Sequence, residues 1–384
     1  MTNNQIVIVG GGFAGFWAAA AARRVGGPSI DIAIVSPEPT LVIRPRLYEA
    51  NPETLGIDLP PLLHMLDVTY IQDSAAGLVS NARDLVLSSG RNLTFDRLVV
   101  AVGSAMKRPP IAGIENAFSI DTQAEAVAFD QRLARLAQRP VVRVAVIGAG
   151  FCGIELALEL HDRVAAHSHH ATTEVTLIDC ANDVGSELGA GPRAVILEAL
   201  ETANVTCVLG AAIRSITQTT VALVDQEIEV DAVVLTTGLS AAQFTTQIGG
   251  DRDQFGRVLV DEFLRAPSDR RVFVTGDAAS ADVGDGHRTM MSCQHAMRLG
   301  RYAGENAARD VLGQPLVAYE QLRYVTCLDL GRFGAVFTTG WDREVAMKGS
   351  DAKSLKRKIN TEMIYPPMDA SLDELLAASA ITPG

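Results

Sequence analysis

Aromatic residues make up only 5% of this 384-residue chain, and basic residues are outnumbered: 33 Lys and Arg face 45 Asp and Glu, for a net charge of −12. A chain with pI near 5.1 has no basic face for nucleic acid. No apolar run reaches the roughly 18 residues of a membrane-spanning helix. The sequence passes from MTNNQ straight into an apolar strand pattern, so no signal peptide is expected, and the expected location is the cytoplasm. The five cysteines, Cys152, Cys180, Cys207, Cys293 and Cys327, stand far apart without a C-x-x-C pair. That spacing excludes a sequence-local dithiol and suits a reducing compartment, with most of the five read as small buried hydrophobes.

What the chain does have is hydrophobic residues at 48%, chiefly Ala, Val and Leu. This is the composition of parallel α/β sheets buried on both faces. Residues 5–9 read as a strand, 13–25 as a helix stopped by Gly26, Gly27 and Pro28, and 31–36 as the next strand. Between the first strand and helix lies Gly10-x-Gly12-x-x-Gly15. In such a turn the first glycine allows the bend, the second lets backbone approach a pyrophosphate, and the third lets helix meet strand. The helix start then offers free N–H groups and a positive dipole end to the diphosphate.

The same plan recurs. Residues 142–147 form a strand, Gly148-x-Gly150-x-x-Gly153 the turn, a helix runs to about residue 167, and residues 174–178 form the following strand. The endings also match, Leu98 to Gly103 against Val233 to Gly238. This is a domain-sized duplication, expected to give two doubly wound Rossmann units followed by a small α+β domain. The two units differ at the end of the second strand. Asp179 stands where a carboxylate accepts the ribose hydroxyls of an adenosine, and Cys180, Ala181, Asn182 and Asp183 supply no cation for a 2′-phosphate. The second site is therefore expected to take NADH in preference to NADPH. In the first unit that place falls on Ser36, with Glu38 two residues on, and Arg44 or Arg46 are the cations nearest in sequence.

Residues 272–277, V-F-V-T-G-D, resemble the second flavin fingerprint, in which the aspartate accepts hydrogen bonds from the ribityl chain. With the glycine turn and Val102-Gly103-Ser104, this points to FAD in the first unit. The order of motifs resembles the two-dinucleotide-binding-domain flavoproteins, and within them the type II NADH dehydrogenases, single-subunit NADH:quinone oxidoreductases. Three stretches carry that likeness: Arg44-Pro45-Arg46-Leu47-Tyr48-Glu49, Ser292-Cys293-Gln294-His295-Ala296 with Gly300, and Cys327 to Arg332 with Ile364-Tyr365-Pro366-Pro367. Where the family has a second glutamine this chain has Arg298, a cation that suits an anionic acceptor or a reduced flavin. Most of the family's membrane-anchoring tail is expected to be missing.

The resemblance implies an FAD domain over residues 1–122 and 250–314, an NADH domain over 123–249 and a C-terminal domain over 315–384. It implies FAD contacts from Gly10, Gly12, Gly15, Glu38, Arg44, Ala75, Gly103, Gly276, Asp277 and Gln294, and NADH contacts from Gly148, Gly150, Gly153, Glu155 and Asp179. Glu155, Gln294, His295 and Arg298 are the candidate catalytic residues, with His295 read as a proton donor from its ordinary pKa near 6.5. The expected activity is hydride transfer from NADH to FAD and then two electrons to a small quinone-like acceptor.

Three other readings share the fold. They are a reductase of a protein carrier such as a ferredoxin or of a dedicated metabolite, sulfide:quinone chemistry through Cys293 and Cys152, and an NADH-responsive interaction protein. His167, His169 and His170 read as solvated loop histidines, not a zinc site. Lys353, Lys356, Arg357 and Lys358, on a helix with Leu355 and Ile359, read as a surface helix or as a peripheral contact with an anionic membrane. A homodimer is left open.

Overall fold

The computed structural model describes residues 4–79, 83–321 and 323–381. Two parallel sheets organise the chain, and both grow from strands that are apolar along their whole length. In the first, strands are ordered Arg265–Ala266, Asp269–Val274, Arg97–Val100, Asn4–Val9, Ile30–Ser36 and Thr69–Gln72. All neighbours are parallel except the Arg265–Ala266 edge. Ile6, Val7 and Ile8 are wholly buried because both faces are covered: Ile6 and Ile8 share a core with the helix residues Phe16 and Tyr302, and Val7 shares one with Leu85, Leu87 and Phe95 of the antiparallel segment on the other face. The chain leaves Asn4–Val9 for Ile30–Ser36 on one side and later returns to Arg97–Val100 on the other. That reversal opens a crevice beyond the carboxyl end of the central strand, beside Gly10.

The second sheet repeats this order with Phe118–Ser119, Ala232–Leu235, Val141–Ile147, Thr172–Ile178 and Val205–Val208, all parallel. Each unit also carries a three-stranded antiparallel meander, Ala75–Val79, Asp84–Leu87 and Asn92–Thr94 in one, Ile213–Ile216, Thr220–Leu223 and Glu227–Glu229 in the other. The α/β class with two Rossmann-like units is thus the one read from the sequence. The strand Asp269–Val274 lies in the first sheet although it follows the second unit in the chain, pairing Val274 with Val100. An antiparallel pair, Ser104–Met106 with Leu239–Ala241, ties the two units together.

Two helices set the first crevice. The first fingerprint helix, Phe13–Gly26, packs against Cys293–Val311 at a distance only small residues allow. A Cβ on Gly300 would stand 2.4 Å from the Ala14 carbonyl oxygen, and one on Gly304 2.0 Å from that of Ala18. The backbone of the long helix is thereby fixed beside the first glycine turn. The C-terminal segment adds an antiparallel sheet, Val325–Asp329, Ala335–Thr339 and Glu344–Lys348, covered by the basic helix Gly349–Lys358. A short helix, Leu372–Ala378, not anticipated from the sequence, starts on a capping box between Ser371 and Glu374. Among the described residues, no helix is long and apolar enough to cross a membrane.

Candidate active site

The first glycine turn has the geometry its spacing requires. Gly10 has φ +112°, and a Cβ there would meet the Ala101 carbonyl oxygen at 2.2 Å. A Cβ on Gly15 would stand 1.8 Å from the Gly10 oxygen, so helix and turn meet backbone to backbone. Beside Gly12 nothing lies within 4 Å, leaving the helix start open at the glycine through which a diphosphate is approached.

Four residues from distant parts of the chain meet at the other end of this crevice. Ser104 donates to Asp277 Oδ2 at 2.6 Å, Arg44 Nη1 donates to Ser104 Oγ at 2.9 Å, and Arg44 also pairs with Asp121 and lies 3.9 Å from Asp277. Burial raises the Asp277 carboxyl above the usual range, against the opposing pull of Ser104 and Arg44. Gly276, at φ +64°, brings the Thr-Gly-Asp turn onto Ala14 of the first fingerprint helix. The buried Thr275 hydroxyl beside it has no hydrogen-bond partner. Gly103 has φ +71° with open space at its Cβ position.

An open glycine-lined helix start, a carboxylate positioned by a hydroxyl, and an orphaned hydroxyl fit the donor and acceptor needs of FAD. Ser36 is buried at the end of Ile30–Ser36, its hydroxyl donating to the Glu38 carbonyl. Arg44 and Arg46 are engaged elsewhere, Arg46 with Glu49 and with the Tyr365 hydroxyl at 2.9 Å. Ala75 opens the meander strand Ala75–Val79, paired with Leu87.

The second turn repeats the first: Gly148 has φ +113°, and a Cβ on Gly153 would stand 1.8 Å from the Gly148 oxygen. Asp179 accepts from the Ala149 and Ala181 backbone N–H groups, which fixes its carboxylate at the mouth of the turn. Nucleotide-binding geometry of the kind NADH requires is therefore present here too.

The junction of the two units and the C-terminal sheet holds a buried charge network. Lys356 Nζ lies 2.8 Å from Glu155 Oε1, and the same oxygen accepts from Asp329 N at 2.9 Å. Lys353 pairs with Asp329 and approaches Glu159 at 3.8 Å. The Tyr48 hydroxyl donates to Asp329 Oδ2 at 3.1 Å, and Asn360 bridges Tyr48 to Glu49. Burial pushes the Glu155 carboxyl up to about 7, against the pull of Lys356. Glu159 also rises to about 7, first through burial and then through Asp329. For Lys356 burial alone would lower the pKa, but the Glu155 carboxylate overcomes it and leaves it raised.

This network changes how the basic helix is read. Lys353 and Lys356 point inward to carboxylates, so only Arg357 and Lys358 of the four cations are exposed. Sequence reading missed Lys356, Asp329 and Asp121 because each meets its partner from far along the chain. A usable signal was the Lys353–Lys356 spacing, which sets both cations on one helix face.

Gln294 lies in the first turn of Cys293–Val311, capped by the Ser292 hydroxyl. His295 is fully buried against Tyr324 and Trp341, with Nδ1 on Ser292 Oγ at 2.9 Å and Nε2 without a partner. Burial lowers its pKa to about 3, so the ring is neutral at pH 7 and holds no spare proton of the kind its ordinary pKa suggests. Arg298 is buried and donates to the Glu320 carbonyl and the Tyr302 hydroxyl. The structure thus gathers Arg44, Gly103, Gly276 and Asp277 at one crevice, and buries Glu155 in the charge network with the C-terminal segment.

All five cysteines are free thiols. Burial pushes Cys293 up to about 11, far from the thiolate that disulfide chemistry needs. His167 faces Asp130 at 3.7 Å. Among the described residues no group of three or more His, Cys, Asp or Glu could hold a metal ion.

Comparison with known proteins completes the description. Residues 4–300 match the family model described as pyridine nucleotide-disulphide oxidoreductase. An NADH dehydrogenase-like protein of Mycobacterium tuberculosis is 39% identical over 98% of each chain. A demethylphylloquinone reductase of Synechocystis is 24% identical, covering 87% of this chain and 86% of its own. The structure of an NDH2 from Plasmodium falciparum in complex with NADH superposes with TM-score 0.77 at 11% identity, covering 98% of this chain and 97% of that one.

Proposed function

The chain belongs to the pyridine nucleotide-disulphide oxidoreductase family, and from that premise we propose that it oxidises NADH with FAD and reduces a small quinone-like ring. The observation that carries this reading is the duplicated turn: two glycine-only helix starts, each at a sheet's switch point, in one chain. The names of its relatives support the same reading, one NADH dehydrogenase-like and one a reductase of demethylphylloquinone.

In this reading Gly10, Gly12 and Gly15 hold the FAD diphosphate, and Asp277, set by Ser104 and Arg44, holds its ribityl hydroxyls. Gly148, Gly150, Gly153 and Asp179 hold NADH. Bound FAD supplies the two-electron chemistry that links a hydride donor to an acceptor. The chain's own part is position and protons. Glu155, pushed up to about 7 by burial against the pull of Lys356, holds a proton on the carboxyl oxygen that faces neither Lys356 nor the Asp329 N–H, and releases it near neutral pH. His295 contributes a neutral ring that seals the start of Cys293–Val311 from water. A peripheral membrane contact, where the acceptor is lipid-borne, would rest on Arg357, Lys358 and the exposed Met363 and Met368, since Lys353 and Lys356 are internally paired.

The test is an acceptor screen on FAD-loaded protein with NADH. Fast reduction of a soluble quinone supports the reading. Preference for a carrier protein, or turnover with sulfide in place of NADH, would replace it.

A further inference from the structure

The two helix starts are near copies, yet they are not equally open. Gly12 and Gly150 are the N-caps, with φ −79°, ψ −169° and φ −82°, ψ −167°. Beside Gly12 a Cβ would meet nothing within 4 Å, whereas beside Gly150 it would stand 2.7 Å from Glu187 Oε1. That same oxygen accepts a hydrogen bond from Phe151 N at 3.1 Å. A carboxylate therefore lies on the glycine and on the N–H that a dinucleotide's diphosphate would use. Backbone geometry does not distinguish the two sites; Glu187 does.

The loop that carries Glu187 is built for side-chain movement on a fixed base. Val184 and Leu188 are buried anchors, while Ser186 and Glu187 between them are exposed. Gly185 at φ +58° and Gly189 at φ +72° bracket this single turn. The side chain can turn out to solvent while both anchors stay in place.

We propose that Glu187 is a displaceable carboxylate plug at the diphosphate place of the second nucleotide site. It satisfies the helix start when no nucleotide is bound and must leave when one enters. This rests on the reading of the second fingerprint as the NADH site. Because plug and diphosphate are both anionic and share one N–H, the plug holds nucleotide affinity down and favours exchange of the coenzyme. The effect is specific to the phosphates: a nucleoside without them does not compete for Phe151 N.

Calorimetric binding of ADP and of adenosine to the FAD-loaded protein tests this, using the parent, Glu187→Ala and Glu187→Asp. Aspartate keeps the charge but withdraws it from Phe151 N by one methylene. Both variants should bind ADP about three- to tenfold more tightly, the worth of one removed hydrogen-bond competitor, with adenosine unchanged. Equal ADP affinity in all three proteins overturns the plug. Tighter binding by E187A alone assigns the effect to bulk charge and also overturns it, as does an equal gain for adenosine. If ADP binds none of the three, the nucleotide reading of the second fingerprint falls, and the plug with it.

Discussion

Lys356 Nζ sits 2.8 Å from Glu155 Oε1, a buried contact that joins the second fingerprint helix to the basic helix behind the C-terminal sheet. Glu155 is two residues past the last fingerprint glycine, so the pair couples the nucleotide turn to the C-terminal segment. Removing one partner of a buried pair is costly because the other is left uncompensated. Lys356→Met should lower stability in urea unfolding by about 3 kcal/mol. The double variant E155Q/K356M, which leaves no buried charge of the pair, should recover much of that loss; no recovery would mean that Lys356 acts through packing on Tyr48 and Phe151.

The raised carboxyl groups fix a sign for pH dependence. Glu155 and Glu159 sit near 7 in the folded chain, above the ordinary value of 4.5, so the folded state holds more protons between those values. Their contribution therefore falls as pH rises from about 4.5 to about 7. His295, lowered to about 3, works in the opposite direction below its ordinary 6.5. The difference between parent and Glu159→Gln isolates the carboxyl part. The variant should gain thermal stability relative to the parent from pH 5 to pH 8, read by melting temperature across that series; a constant difference would contradict the shift.

Asp179 is held by two backbone N–H groups at the mouth of the second turn. A ribose diol accepted by this carboxylate contributes a charged hydrogen bond, so Asp179→Ala should raise the KM for NADH about tenfold. NADPH, which gains nothing from Asp179, should change little. Steady-state kinetics with both coenzymes reads the ratio, and equal loss for the two would remove Asp179 from ribose recognition.

Gly304 faces the Ala18 carbonyl at a distance no side chain tolerates. Gly304→Ala must push the two helices apart, at a cost of about 1–3 kcal/mol. Because the first turn of the same helix carries Gln294, the variant should also release FAD more readily. Denaturant midpoint and retained flavin after gel filtration should fall together.

Much of this architecture was legible in the chain itself. The glycine turns, the apolar strands before them and the Thr-Gly-Asp ending are local patterns whose geometry follows from a few neighbouring residues. Arg44, by contrast, reads from sequence as a cation for the adenosine end, but in the fold it closes on Asp121, Ser104 and Asp277. The basic helix reads as a solvated face, yet two of its cations are spent on Asp329 and Glu155. Glu187 carries no local signal, since its partner N–H belongs to Phe151, far back in the chain. Such pairings depend on how the units dock, and periodicity along one element does not encode that.

The most direct measurement mixes FAD-loaded protein with NADH in an anaerobic stopped-flow and follows the flavin's visible absorbance, with a soluble quinone added in a second push. Bleaching by NADH within turnover time, followed by full recovery on quinone addition, is the expected course. A flavin that stays oxidised under excess NADH would contradict the pairing of two dinucleotides on which the proposed activity stands.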